Sequence, residues 1–413
     1  MYNISAIKTW IQSFLLPIFI FIFSSTITFA ENLQPEAINE SGSSSSNQYI
    51  NSLETAISDY KKISENGGWP SLPNGKPIKM YAKDTRIPVV RQILSVMGDY
   101  HLEEEVDSET LDETLAESVK KFQARHGLEV DGALGVKTQA ALSVPVEFRL
   151  AQMQATLERM HEMPNLGERY VLVNIPGFYL KAVDKNTTTI NSRIIVGAPK
   201  NATPLFHREI TDVSFNPAWH VPERIARNEF MGKLRDNPNY FVKGNYSITD
   251  NNGDAINVAE IDWENQPKSH YKFVQRAGNG NALGKVKFNL PDTDSIYLHS
   301  TGSPKLFNKS ERALSHGCIR VEMARELAYF VMSGMTGWDE ERITKLYDSN
   351  KSRILPVEPV QVYLAYWTSW VDETTKQPHF NADIYGRDKK RVSEILAEIK
   401  NPADKNEMEV AMQ

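Results

Sequence analysis

Ile296-Tyr297-Leu298-His299 ends an apolar run on an imidazole. Ala313-Leu314-Ser315-His316-Gly317-Cys318-Ile319-Arg320-Val321 follows it and holds the one cysteine of a 413-residue chain. The first segment reads as a strand. Strand-like runs recur upstream in Val171-Leu172-Val173, Tyr179-Leu180-Lys181-Ala182-Val183, Arg193-Ile194-Ile195-Val196, Val213-Ser214-Phe215 and Val286-Lys287-Phe288. Glycine and proline separate several of them. The pattern predicts a β-rich domain over 169–350 with a mostly antiparallel, curled or sandwiched sheet. Strand signals thin out between about 219 and 280, where a helical stretch from Glu223 to Leu234 and polar loops suggest an insertion able to cap a cleft. Met323 to Met332 reads as a helix, and Val360 to Tyr366 alternates again within a C-terminal scaffold segment, 351–413.

The N-terminal part has a different period. Val90, Ile93, Leu94 and Met97 fall at i, i+3, i+4, i+7 on a helix that starts near Pro88 and is closed by Gly98. A second helix carries Leu115, Val119 and Phe122 and stops at His126-Gly127. The turn Asp131-Gly132 and then Gly135 lead into a third through Ala140, Ala141 and Leu142. A small three-helix domain is expected over 78–145, with a scaffold piece at 51–77 and a connecting helix at 146–168. The fold class is α+β.

The first 30 residues have the layout of a secretory signal peptide. Lys8 precedes the apolar run Phe14 to Phe23, and Thr28-Phe29-Ala30 ends in small residues before Glu31. The dense apolar stretch falls short of the roughly 20 residues a spanning helix needs, so cleavage after Ala30 is expected and membrane contact ends there. No cysteine follows closely enough for a lipoprotein anchor. Residues 31–50 include a serine-rich run with nothing to bury and read as a flexible tether. A formal net charge of −6 gives no reason to expect nucleic acid. A lone thiol in an exported chain is open to oxidation, which favours a chemical role for it.

Cys318 beside imidazoles and a glycine is a minimal kit for acyl transfer through a thioester. A thiol with an ordinary pKa of about 8.5 needs a neighbouring base. His299 and His316 are both candidates, and spacing alone does not choose between them. Gly317 and Cys318 would offer main-chain N–H groups to an oxyanion. Metal and cofactor signals are absent from the sequence: the nine histidines are scattered, with no His-Glu-x-x-His or paired-cysteine spacing. No glycine-rich phosphate loop follows a strand.

Two resemblances sharpen this reading. Val119 to Gly135 resembles the peptidoglycan-binding three-helix module of bacterial wall enzymes. His299-Ser300 with Ser315-His316-Gly317-Cys318-Ile319-Arg320 resembles the signature of the L,D-transpeptidase catalytic domain. Trp219-His220-Val221-Pro222, Asn281-Ala282-Leu283-Gly284, Leu306-Phe307, Arg312-Ala313 and the stretch Tyr363 to Asp388 are similar to the larger Gram-negative members. The resemblance implies Cys318 as nucleophile and His299 as base, oriented by the main-chain carbonyl of Ser300. His316 becomes a substrate or oxyanion-site residue. Arg320, Ser315, Tyr297, Asn281 and Trp219 are candidate substrate-binding residues.

The implied reaction is attack on the third residue of a peptidoglycan tetrapeptide stem, release of D-alanine, and transfer to an amine of another stem as a 3→3 cross-link. The partners would be donor and acceptor stems, the location the periplasm at the cell wall, and carbapenems would acylate the thiol. No cofactor is implied. A cysteine-dependent carboxypeptidase and a non-catalytic wall-binding protein are the competing readings. Two positions depart from the large members: His299-Ser300-Thr301 stands where they commonly carry His-Asp-Thr, and Ala277-Gly278-Asn279-Gly280 replaces a proline-rich lead.

Overall fold

The computed structural model describes residues 45–101, 109–237, 239–257, 271–278, 280–293 and 296–400. The expected leader and the 31–44 part of the tether lie outside them. The rest of that expected tether is helical: α1 (Ser45–Glu65) starts before the predicted scaffold piece. Tyr49 and Leu53, four residues apart, share a buried face. The Tyr49 ring lies 5.4 Å from that of Trp367, and this contact anchors the first turns.

Within 78–145 the described helices are α2 (Ile87–Val96), α3 (Glu113–Arg125) and α4 (Val136–Leu142). Asp112 caps α3 by accepting the Leu115 N–H at 2.8 Å. Gly127, at φ +64, ends the following turn. Buried Gln123 accepts the N–H groups of Asp131 and Gly132 and donates to the Ala133 carbonyl, pinning the next turn. Val90, Ile93, Leu94, Val119, Phe122 and Leu142 make the core of this module. The connecting helix α5 (Val146–His161) packs against α1.

The strands are β1 (Arg169–Asn174), β2 (Tyr179–Asp184), β3 (Thr187–Gly197), β4 (His207–Phe215), β5 (Trp219–His220), β6 (Tyr246–Thr249), β7 (Lys272–Gln275), β8 (Val286–Asn289), β9 (Leu298–His299), β10 (Ala313–Ser315), β11 (Ile319–Val321), β12 (Arg353–Ala365), β13 (Ser369–Val371) and β14 (Pro378–Phe380). A nine-stranded sheet runs β10-β3-β11-β9-β8-β4-β12-β1-β2, and β2 pairs back onto β3. The sheet therefore closes into a barrel instead of the curled or sandwiched sheet expected. Register shifts bend β2 against β3 between Ala182 and Val183, and β12 against β4 between Pro356 and Val360. Such bulges supply the curvature that closure needs.

The boundary expected at 350 also fails. β12 lies between β4 and β1 in the barrel and buries Val360, Val362 and Leu364 in the same core as Val171, Phe215 and Leu298. Each such side chain contributes roughly 1.5–3 kcal/mol of apolar burial. Only the chain after β12 is scaffold: the hairpin β13–β14 and the helix Lys389–Lys400, which packs on α5.

The insertion is more ordered than a run of helix and loops. β5, β7 and β6 form a separate sheet, and Ile225, Phe230, Leu234, Phe241, Ile248 and Phe273 form its own core. The helical stretch expected from Glu223 to Leu234 is present, as Glu223–Ile225, a π-helical turn at Ala226–Phe230, and Met231–Asp236 in direct succession.

Candidate active site

Strand parity decides where the site faces. Leu298, Phe288, Ile319 and Val321 point into the barrel core, so His299, Lys287 and Arg320 point outward. Register then puts them in a row. His299 is paired with Lys287 across β8–β9 and with Arg320 across β9–β11. An imidazole thus stands between two cations on the outer face of the barrel, beneath the cap. Burial is the main cause of a His299 pKa held down to about 3, with Arg320 and Lys287 adding to it. The main chains of Ser300 and Leu283 pull the other way and favour the proton. Neither brings an acceptor into hydrogen-bond geometry with His299 Nδ1, which is buried and unpaired in this arrangement.

Cys318 immediately precedes β11, and Tyr297 immediately precedes β9. The Ile319 N–H donates to the Tyr297 carbonyl at 3.0 Å, which holds the two residues side by side. The thiol is in no disulfide and is half-buried. Burial pushes its pKa up, while the main chain and hydroxyl of Tyr297 and the charges of Lys287 and Arg320 pull it down. The Lys287 ammonium sits 4.2 Å from the centroid of the Tyr297 ring. The Tyr297 and His299 rings meet edge to face at 5.5 Å.

A cavity of about 600 Å³ opens over this group. Cys318, His299, Tyr297 and Arg320 line its floor, and Trp219 and Glu229 of the insertion line its other side. The Trp219 side chain also reaches the Tyr297 hydroxyl. His316 is exposed, and its Nε2 lies 2.5 Å from Glu229 Oε1, so it ties the cysteine loop to the cap. Among the described residues no carboxylate forms an ion pair with Arg320, whose Nε is buried without a hydrogen-bond partner.

Four expected site residues, Asn281, Ser315, Gly317 and Ser300, have polar groups engaged elsewhere. Asn281 is buried and does not line the cavity. Its amide donates to the Gln275 and Arg276 carbonyls and accepts the Leu283 N–H, which shapes the turn before β8. Ser315 borders the cavity, but its hydroxyl accepts the Gly317 N–H at 3.0 Å and donates to the Cys318 carbonyl at 2.6 Å. The Gly317 N–H is therefore already used and is not offered to an oxyanion. Gly317 has φ +123, a conformation that L side chains rarely adopt. Ser300 Oγ accepts from Lys285 and Val286 and donates to Leu283, fixing the turn at Gly284 against β9.

Further residues went unnoticed in the sequence. Lys287 reads as a solvated lysine on an outward strand position. Glu229 reads as one more exposed helix carboxylate. Tyr385, Thr203 and Gly317 form a brace: the Tyr385 hydroxyl donates to the Gly197 carbonyl, and Thr203 Oγ1 donates to the Gly317 carbonyl. No residue type marks that brace in advance. Among the described residues no cluster of His, Cys, Asp or Glu suits a metal ion, and no helix is long and apolar enough to cross a membrane.

Residues 168–354 match the family described as "L,D-transpeptidase catalytic domain", and residues 84–142 match "Putative peptidoglycan binding domain". A "Putative L,D-transpeptidase" of Haemophilus influenzae is 35% identical over 235 residues, which are 56% of this chain and 47% of that one. The match thus spans about half the length of that relative. A solved L,D-transpeptidase of Xylanimonas cellulosilytica is 13% identical, with 71% of this chain and 99% of that one covered and a TM-score of 0.22. One from Stackebrandtia nassauensis is also 13% identical, with 71% and 96% covered and a TM-score of 0.26.

Proposed function

We propose that this chain, which carries an L,D-transpeptidase catalytic domain at 168–354 beside a peptidoglycan-binding module, cross-links peptidoglycan through a Cys318 thioester. The observation that carries the reading is the meeting of Cys318, His299 and Tyr297 on the floor of one open cavity. His299 takes the thiol proton: burial keeps the resting ring neutral at physiological pH, and the negative charge that develops on sulfur favours the imidazolium as the proton moves. The main chain of Ser300, which already favours the protonated ring, would orient it once the ring turns to bring Nδ1–H onto that carbonyl. Lys287 and Arg320 stabilise the thiolate that results.

The thiolate attacks the carbonyl of the third residue of a tetrapeptide stem. A carbon–sulfur bond forms, the bond to the terminal D-alanine breaks, and the histidine proton leaves with that amine. The side-chain amine of a second stem then attacks the thioester, giving a 3→3 link and returning the proton to sulfur. The unpaired Arg320 suits a stem carboxylate. Trp219 and Tyr297 supply apolar walls. His316 positions the loop against the cap and is not the base. Export to the periplasm follows from the leader layout and the wall substrate.

Mass spectrometry of the protein with a disaccharide-tetrapeptide tests this. The expected result is an acyl adduct on Cys318, absent in Cys318→Ala, followed by dimeric products. Trimmed monomers alone would mean that water is the acceptor, and no adduct would mean that the site is inert. A carbapenem is expected to leave a stable adduct on the same sulfur.

A further inference from the structure

The charges that line the catalytic cavity are mostly of one sign. Arg224 and Lys233 of the insertion and Arg320 of the barrel border it, and Glu229 is the one carboxylate among the described residues that do so. Arg224 donates to the Asn201 side-chain oxygen at 2.6 Å. The Lys233 ammonium rests 5.5 Å from the centroid of the Phe230 ring and 5.4 Å from that of Tyr240. The lone carboxylate therefore stands in a cavity whose other fixed charges repel a cation.

Local structure puts it there. Glu229 lies in the π-helical turn Ala226–Phe230, a widened turn of the kind that concentrates at functional sites. Phe230, the next residue, is buried in the insertion's own core, whereas Glu229 is partly exposed at the cavity wall. Glu223, the other carboxylate of this stretch, is paired with Arg227 on the exposed surface. Glu229 Oε1 meets His316 Nε2 at 2.5 Å, and among the described residues Oε2 has no hydrogen-bond or ion-pair partner. His316 is two residues before Cys318. The contact thus holds a half-engaged carboxylate against the loop that carries the sulfur.

We propose that Glu229 selects the acceptor: its free oxygen receives the ammonium of the incoming amine and holds that nitrogen on the cap side of the acyl-enzyme. The inference rests on the transfer reaction proposed above and adds how the second substrate is recognised. Donor and acceptor bring opposite charges to this cavity. Carboxylates of the donor suit the cations, while an alkyl amine arrives protonated, since such groups titrate near about 10. Among three cations it has one favourable place, and a charge-assisted hydrogen bond to a carboxylate is stronger than a neutral one. Attack needs the free amine, so the bound ammonium gives one proton to water. The nitrogen, still hydrogen-bonded to Glu229, then enters the thioester exchange already described. Water carries no charge and gains nothing from Glu229, so the carboxylate favours transfer over hydrolysis.

Competition for the acyl-enzyme tests this. The full chain is incubated with a disaccharide-tetrapeptide, which serves as donor and as cationic acceptor, together with hydroxylamine, a nucleophile that is mostly uncharged at about pH 7. Mass spectrometry reads the ratio of dimer to hydroxamate. Both products come from one acyl-enzyme, so the ratio does not depend on how fast that species forms or on how much protein is folded. Glu229→Gln keeps the length of the side chain and an oxygen for His316 and removes the charge. The ratio is expected to fall roughly tenfold, the loss of about one charge-assisted contact, and Glu229→Asp is expected to restore part of it. An unchanged ratio in Glu229→Gln overturns the proposal even where both products decline together, because the carboxylate would then serve only the contact with His316. A parent that forms neither product and no adduct on Cys318 defeats the catalytic reading itself, an outcome distinct from an unchanged ratio.

Discussion

Lys287 stands directly across the β8–β9 pair from His299, and its ammonium rests over the ring of Tyr297. It lowers the pKa of both His299 and Cys318. The same charge therefore keeps the base neutral and favours the thiolate. Lys287→Met is expected to reduce acylation at pH 7 roughly tenfold, the low end of what one adjacent charge does to a titrating group. It should also move the alkylation profile of the thiol to higher pH. Lys287→Arg should restore most of both. An alkylation profile that does not move in Lys287→Met would show that the lysine only packs.

Buried neutral histidines set the acid limit of stability. Burial holds His299 down to about 3 and His126 well below its usual value. Both folded values lie under the unfolded value of about 6.5. Between the two, the unfolded chain binds a proton that the folded chain refuses. Stability is therefore complete above pH ~6.5 and is lost as pH falls toward 3, at up to about 1.4 kcal/mol per pH unit for each histidine. His126→Phe keeps the stacking against Phe122 and removes one proton site. Urea midpoints between pH 7.5 and 4.5 should fall less steeply in that variant; equal slopes would remove His126 from the account.

Gly284 has φ +65, and a Cβ there would meet Ser300 Oγ at 2.2 Å and the Thr301 nitrogen at 2.6 Å. They belong to the two residues that follow His299, one a side-chain and one a main-chain atom, so a shift there reaches the base. Gly284→Ala is expected to lower acylation on the order of a hundredfold, since small misplacements of a catalytic group cost that much. Gly253, at φ +98 with nothing within 4 Å, is the comparison. Gly253→Ala should cost about 1–2 kcal/mol of stability and leave acylation alone. Equal activity in the two variants would mean that the Gly284 turn does not position the site.

Asp99 and Arg125 form a buried pair at 2.5 Å, and Arg125 also donates to the Pro378 carbonyl at the start of β14. The pair thus fastens the module to the hairpin. Asp99→Asn leaves a buried guanidinium without its counter-charge and should cost about 3–5 kcal/mol in denaturant unfolding. Adding Arg125→Met should recover part of that loss. A single variant as stable as the parent would show that the hairpin carbonyl suffices.

Alternation and residue type made much of the barrel legible. Val171, Leu180, Ile194, Val213 and Phe288 were readable because strand signals mark them without knowledge of the partner strand. Closure was not readable, because the bulges near Ala182 and Pro356 leave no compositional mark. The cap sheet was missed because its strands are short and polar, as in Ser247, Thr249, Lys272 and Gln275. Cys318 and His299 stood out by chemistry, with the choice of His299 over His316 coming from resemblance. The fate of the Gly317 N–H depended on the rotamer of a serine two residues away. The role of Lys287 depended on register, which one strand alone does not reveal.

That serine gives the sharpest mechanistic test. Ser315 Oγ holds the Gly317 N–H and the Cys318 carbonyl at once, clamping the bend that aims the sulfur. Ser315→Ala strands a buried N–H donor, at a cost of about 1–3 kcal/mol. It also frees that N–H to turn toward the cavity. If the clamp positions the thiol, acylation by a small donor falls in Ser315→Ala while Ser315→Thr, which keeps the hydroxyl, retains much of it. If a free Gly317 N–H serves the oxyanion instead, Ser315→Ala acylates as fast as the parent or faster. Single-turnover mass spectrometry separates the two, because it reads the acylation step without the later transfer.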